Sequence, residues 1–319
     1  MILQGIHLFL TMKKSTACYH LPGLFEFFNF YSVFLPLFYS HREYFYDWCE
    51  IASIYGAPSG CIWNGGRTDF SGAEENSAKK VLELMEKYGI SARLTFSNSL
   101  LRKEHLSDKK CNEICRLFES KNGKIKNGII VHSEILLDYL KERYPDFYFV
   151  SSTTKVITDF QRFKDELDRK DFSFVVPDFT LNKSLEKLKA LSKEQKSKVE
   201  FLCNECCWTG CKERKACYEN VSRKNLGESC PDHICKSPGG KDGYVFSKAM
   251  KNPAFIGISE IKNIYLSLGF SNFKIEGRGL GSAMILEFLL YYMTNYMTKP
   301  EYQLNVREAV YLDSMLDLF

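Results

Sequence analysis

The chain has 319 residues, 45% of them hydrophobic, enough for one large core or two ordinary ones, which excludes a mostly disordered polypeptide. Its 43 basic and 39 acidic residues leave a net charge of +4, too even a balance to select nucleic acid or a membrane surface as partner by field alone. No run reaches the roughly 18 to 20 uninterrupted apolar residues of a membrane span, because Glu26, Asn29 and Pro36 break the aromatic stretch 24–39.

The opening residues 1–14 carry an apolar run with no positive residues before it and no small-residue cleavage site, a poor match to a signal peptide. Met12, followed by Lys13 and Lys14, is an alternative start to Met1. Without an export signal the expected compartment is the cytoplasm, where thiols stay reduced and clustered cysteines hold metal more often than they form disulfides. Residues 1–47 are expected to form an N-terminal helical extension.

From Trp48 onward, short apolar runs alternate with amphipathic stretches, as expected when each strand of a parallel sheet is followed by a covering helix. Strands are predicted at 49–56, 92–98, 128–133, 147–153, 172–178 and 199–205, with 254–259 and 272–278 completing a set of eight. Helical patterns lie between them: 74–89 with Gly89 as its stop, 107–120 capped by Ser107, 133–145 closed by Pro145, then 159–169 and 182–191. The count favours a TIM-like (β/α)8 barrel over residues 48–295, with a cysteine-rich insertion at 203–245 after strand six and a C-terminal helix at 296–319. An open doubly wound sheet with an added lobe is the alternative.

A barrel places its working face at the carboxyl ends of the strands. There the sequence offers Asn64 and Arg67, Asn98, His132, Ser152 with Thr153, and Asp178. Asn204 with Glu205, and Glu276 with Arg278, follow the later strands. Turn residues are commonly polar for reasons of their own, and a lone His132 is more often structural than a ligand.

Seven of the twelve cysteines fall between 203 and 235, spaced C203-x2-C206-C207-x3-C211-x5-C217-x12-C230-x4-C235. Lys212, Arg214, Lys215, Arg223 and Lys224 surround them, and cationic surroundings favour the thiolate that binds metals. Cys111 and Cys115, at i and i+4, read as helix packing. Zinc sites often pair two C-x2-C knuckles, and only C203-x2-C206 is present, whereas iron–sulfur centres accept irregular spacing. Spacing leaves both metals open. The tract 238–244 reads as a lid or linker and lacks the ending of a phosphate loop.

The stretch "VEFLCNECCWTGCKERKACY", followed by "GFSNFKIEGR", resembles the collagenase-like peptidase superfamily, peptidase family U thirty-two. Asn204, Cys207, Cys211 and Arg214 fit its first element, and Lys274 to Arg278 fit the second. Cys217 with Tyr218 stands where a His-Tyr often appears, and the C-x6-C element of many hydroxylase-type members is absent. The resemblance implies a TIM-like barrel and an oxygen-sensitive 4Fe-4S cluster held by four cysteines, with oxygen-independent hydroxylation of an RNA base or a small aromatic substrate. On that footing the metal ligands are Cys207, Cys211, Cys217 and Cys235, with Cys203, Cys206 and Cys230 as substitutes and zinc as the alternative ion. Cys203 and Cys206 read equally as strand-end packing.

Glu205 and Glu276 are then the candidates for proton transfer, and Asn204, Arg278, Asp178 and Asn98 for substrate binding. Glu276 and Arg278 read alternatively as a structural ion pair. Expected partners are a small-molecule or RNA substrate and an electron donor or partner protein, with no membrane and no DNA. Two other readings stay open: a peptidase, for which no Ser/His/Asp or H-E-x-x-H pattern is visible, and a non-catalytic metal-stapled binding protein.

Overall fold

The computed structural model describes residues 15–66, 78–119, 125–238, 240, 243–295 and 299–314. Arg67, the opening residues with Met1 and Met12, and part of the 238–244 tract lie outside them. The strands are β1 Ala17–Pro22, β2 Cys49–Gly56, β3 Ser91–Phe96, β4 Gly128–Val131, β5 Tyr148–Ser151, β6 Phe172–Val175, β7 Glu200–Leu202 and β8 Asn272–Lys274. They are hydrogen-bonded in the order β6-β5-β4-β3-β2-β1-β8-β7, and every pairing is parallel. A parallel bridge between Val175 and Val199 joins β6 to β7 and brings the eight strands into the nearly closed barrel that the count of strands led one to expect.

Two strands differ from expectation. Ala17–Pro22 belongs to the barrel as its first strand, although residues 1–47 read as a helical extension. Its sequence is short and polar in part, but it alternates correctly: Tyr19 reaches outward to the Tyr292 carbonyl (3.1 Å), whereas His20 faces the interior. The stretch 254–259 forms no strand. Ile256 donates one backbone bond to the Cys203 carbonyl (3.0 Å), after which the chain turns into a helix at Ile258–Glu260. A buried apolar run has the same composition in either state, so periodicity does not separate them. The cysteine-rich segment therefore follows the seventh strand rather than the sixth.

The covering helices are α1 Phe28–Ser40, α2 Ala78–Tyr88, α3 Lys109–Phe118, α4 Glu134–Arg143, α5 Phe160–Asp168, α6 Leu185–Lys189, α7 Lys193–Lys198 and α8 Arg214–Asn225. After them come α9 Phe246–Ala249, α10 Ile258–Glu260, α11 Ser282–Met293 and α12 Glu301–Ser314. Side-chain caps start several of them. Asp108 accepts from the Cys111 N–H (2.8 Å) one residue beyond the expected Ser107, and Ser133 and Asp159 cap α4 and α5. Gly89, at φ 69°, takes the left-handed turn that ends α2. The aromatic stretch forms α1, which packs against α12 and stacks Phe30 on Phe34 at 5.4 Å. None of the described helices is long and apolar enough to cross a membrane.

The main apolar core lies between strands and helices. A second cluster, Tyr55, Ile130, Val150, Val176 and Leu202, forms a ring inside the barrel. One layer below it sits a polar group: Glu200 accepts from Arg93 at 2.5 Å and lies 3.4 Å from Lys274 Nζ and 3.6 Å from His20. His20 is also bonded to Ser53 Oγ at 2.8 Å. Burial is the strongest influence on Glu200 and acts to raise its pKa, but Arg93, His20 and Lys274 together bring it down to about 2. Burial, reinforced by Arg93, lowers His20 to about 3, so the ring is neutral at neutral pH and its contact with Glu200 is not an ion pair.

Candidate active site at the barrel mouth

Above the apolar ring the strand ends enclose a cavity of about 90 Å3 lined by Tyr55, Thr95, Ser97, Lys274, Glu276 and Arg278, among others. These side chains are brought there by a period of two. Along β3 and its end, Arg93, Thr95 and Ser97 alternate with Ala92, Leu94 and Phe96; along β8, Asn272, Lys274 and Glu276 alternate with Phe273 and Ile275. The apolar set meets the helices and the polar set climbs the inner wall. A wider groove of about 750 Å3 opens on the rim, and Lys155, Glu134, Glu166 and Arg169 on its wall are cross-paired at 2.7–3.4 Å.

Lys274 is buried, with Nζ 3.3 Å from the centre of the Tyr55 ring. Burial lowers its ammonium to about 8, against the opposing pull of Glu200. Arg278 donates to Glu26 Oε1 from Nε (2.9 Å) and Nη2 (2.7 Å), and to Asn64 Oδ1 (3.2 Å). Its ion-pair partner is thus Glu26, not Glu276. Thr95 Oγ1 and Ser97 Oγ are buried and make no hydrogen bond among the described residues.

The start of the cysteine-rich segment caps one side of this mouth. Asn204 ties β7 to β8, accepting from the Glu276 N–H (2.8 Å) and donating to the Glu276 carbonyl (3.2 Å). Glu205 accepts from the Cys207 N–H (3.0 Å) and from Arg214 Nη2 (3.1 Å). Arg214 Nη1 donates to Asp178 Oδ2 at 2.6 Å, and the guanidinium lies 4.4 Å from the centre of the Phe179 ring. Asp178, Glu205 and Arg214 are all buried. Asn98 is spent on structure: it donates to the Ile62 and Ser222 carbonyls (2.8 and 3.1 Å) and accepts from the Leu100 N–H (2.9 Å), holding α8 against the rim.

Among the described residues, Glu205, Cys206 and Glu276 form a group whose ligand atoms lie within 4.8 Å of one another. This brings together both expected proton-transfer carboxylates, with Cys206 rather than Cys207 as their thiol neighbour. Cys203 is fully buried in the core, where burial pushes its thiol up. Cys207, Cys211 and Cys217 are half-buried and Cys235 is exposed, 2.8 Å from Ser237 Oγ. The distal part of the segment folds back along α8. Asn220 donates to Cys230 Sγ (3.6 Å) and accepts from the His233 N–H (3.3 Å), while Lys236 reaches Glu213 (2.9 Å). Glu213, Cys217 and Asn220 follow one another at helical i, i+4, i+7 spacing, so this loop covers the face that carries Cys217.

His132 is bonded to Thr154 Oγ1 (2.8 Å), and burial lowers it to about 4, in keeping with a structural role. Lys274, Thr95 and Ser97 are mouth residues that sequence reasoning did not single out as site residues, and Cys206 was named only as a substitute ligand. The alternation of polar and apolar positions in "SARLTFS" and "NFKIEGR" was the signal that could have found the first three.

No family model matches the chain, and no curated protein matches it. Among solved structures the chain is similar to one described as the structure of the U32 peptidase Mk0906, at 12% sequence identity and a TM-score of 0.51, over 83% of this chain and 94% of that one. At that identity the likeness is one of fold alone, a barrel of parallel strands.

Proposed function

We propose that the chain is a barrel enzyme that carries out redox-type modification of a small molecule or an RNA base at its mouth, using a metal centre of the iron–sulfur kind held by residues 203–235. The observation that carries this reading is the convergence of Glu205, Cys206 and Glu276 beside the Lys274-lined cavity. Cys207, Cys211, Cys217 and Cys235 remain the proposed cluster ligands, with Cys230 on the loop that covers Cys217 and Cys206 adjoining the carboxylates. Six of the seven thiols lie outside the core, more than a single mononuclear ion requires, but among the described residues only Cys206 belongs to a group of ligand atoms within 4.8 Å of one another, so a metal held by the proposed four would have to draw them together. An iron–sulfur centre would supply one-electron chemistry or a binding site for a substrate heteroatom. The chain's own residues would do the rest: Glu276 moves a proton at the cavity wall, Arg214 fixes Glu205, and the apolar ring excludes water from below.

The solved neighbour is described as a peptidase, which makes hydrolysis the second reading. A hydroxyl–imidazole–carboxylate series does exist here, Ser53–His20–Glu200, but it lies fully buried beneath the apolar ring, out of reach of a peptide. Iron, acid-labile sulfide and zinc in the anaerobically purified chain, with Cys206→Ser, Cys207→Ala and Cys211→Ala variants, test the proposal. About four iron and four sulfide per chain, lost in the Cys207 and Cys211 variants, are expected. One zinc and no iron would overturn the redox reading.

A further inference from the structure

The cavity wall carries two buried hydroxyls, Thr95 Oγ1 and Ser97 Oγ, that have no hydrogen-bond partner among the described residues. An unpartnered buried polar atom costs free energy, so a fold that retains two on one wall has a use for them. Both follow the same strand at i and i+2, so they share one side of the barrel lining. The cations on that wall are not evenly matched. Arg93 and Lys274 share the single carboxylate of Glu200, Arg93 at 2.5 Å and Lys274 at 3.4 Å, while Arg278 is matched by Glu26. His20 beside Glu200 is neutral. The remaining acidic group on the wall, Glu276, belongs to the group formed with Glu205 and Cys206. A cation held by that group would offset its charge and leave the Lys274 side positive.

We propose that this cavity is a carboxylate subsite, in which Thr95 and Ser97 donate to the two oxygens of a small organic acid and Lys274 supplies the countercharge. At about 90 Å3 the space suits a head group and not a nucleobase. The donors on offer match the two oxygens of a carboxylate, whereas a phosphate would leave oxygens without partners. The inference deepens the reading of the mouth as the reaction site and rests on it: the reacting molecule, or a co-substrate, is an organic acid anchored next to Glu276.

The experiment is calorimetric titration of the anaerobically purified full chain with acetate, malonate and inorganic phosphate, beside the Thr95→Val/Ser97→Ala double variant and Lys274→Met. Metal content is measured on every sample. Saturable binding of a carboxylate, weakened about tenfold or more in the double variant while its metal content and melting temperature hold, is the expected result. Because the double variant removes only two hydroxyls without a partner among the described residues, it separates loss of the subsite from loss of the fold. Binding of phosphate alone, or equal carboxylate binding by wild type and double variant, would overturn the subsite. A chain that lacks metal yet still binds carboxylate through Thr95 and Ser97 would sink the metal-centre reading and keep the subsite.

Discussion

Arg214 donates to Asp178 at 2.6 Å, joining the first turn of α8 to the loop behind β6. With its second terminal nitrogen it holds Glu205, behind β7. Removing one member of a buried ion group leaves the others without a countercharge, at about 3–5 kcal/mol. Arg214→Met should lower the free energy of unfolding by that order, and Arg214→Lys, which keeps the charge but not the fork, should fall between. Denaturant titration of both variants decides the matter; a wild-type midpoint for Arg214→Met would mean that the clamp is idle.

Acid should weaken the fold in two overlapping steps. His20, lowered from 6.5 to about 3, stays neutral in the folded chain while the unfolded chain takes up a proton, so stability falls as pH drops below about 6.5. Glu200, lowered from 4.5 to about 2, adds a second loss below about pH 4.5. Between pH 6 and 5 the His20 contribution has a slope of about 1.2 kcal/mol per pH unit. His132, lowered to about 4, adds a similar slope over the same interval, so His20→Gln should lose about half of it, whatever the variant's absolute stability. An unchanged slope would show that His20 is not the group responsible.

Gly65 leaves no room for a side chain. A Cβ there would stand 2.3 Å from the Ser97 carbonyl oxygen, which is backbone and cannot swing aside. Gly65→Ala should therefore cost about 1–3 kcal/mol and displace Ser97 from the cavity wall. The cost is read by thermal unfolding and the displacement by carboxylate titration. An alanine variant with unchanged stability and binding would count against this close approach.

Thr95→Val should act in the opposite direction on stability. It keeps the branched shape and removes a buried hydroxyl without a partner, so the ligand-free chain should gain about 1 kcal/mol. Unfolding in a buffer free of organic acids is the measurement, and a loss of stability would mean that the hydroxyl has a partner after all.

Much of the barrel was legible because strands and helices differ in hydrophobic period, and seven of the eight strands lie where short apolar runs end in polar residues. Ala17–Pro22 escaped because His20, a polar residue pointing into the interior, interrupts what would otherwise be an apolar run. The opposite error at 254–259 came from an apolar run that is buried as coil and helix start. For the site, Glu205 and Glu276 could be read at strand ends, but their proximity could not, since it depends on β7 lying next to β8 in the ring. Asn98, Asn204 and Asp178 looked alike in sequence; their partners, the Ser222 carbonyl, the Glu276 backbone and Arg214, are distant in the chain and known only from the fold.

The junction of β6 and β7, which rests on the single Val175–Val199 bridge, makes the ring mechanically uneven. Opening should start there as a split between the two strands at the ends of the hydrogen-bonded order, and amide hydrogens on either side of it should be the earliest in the ring to exchange with solvent. Arg214 bolts across that split from above, with Asp178 on one side and Glu205 on the other. A metal in the thiol-rich segment would thereby act on the barrel's weakest line, and removing it would loosen the far wall of the mouth before any other part of the molecule.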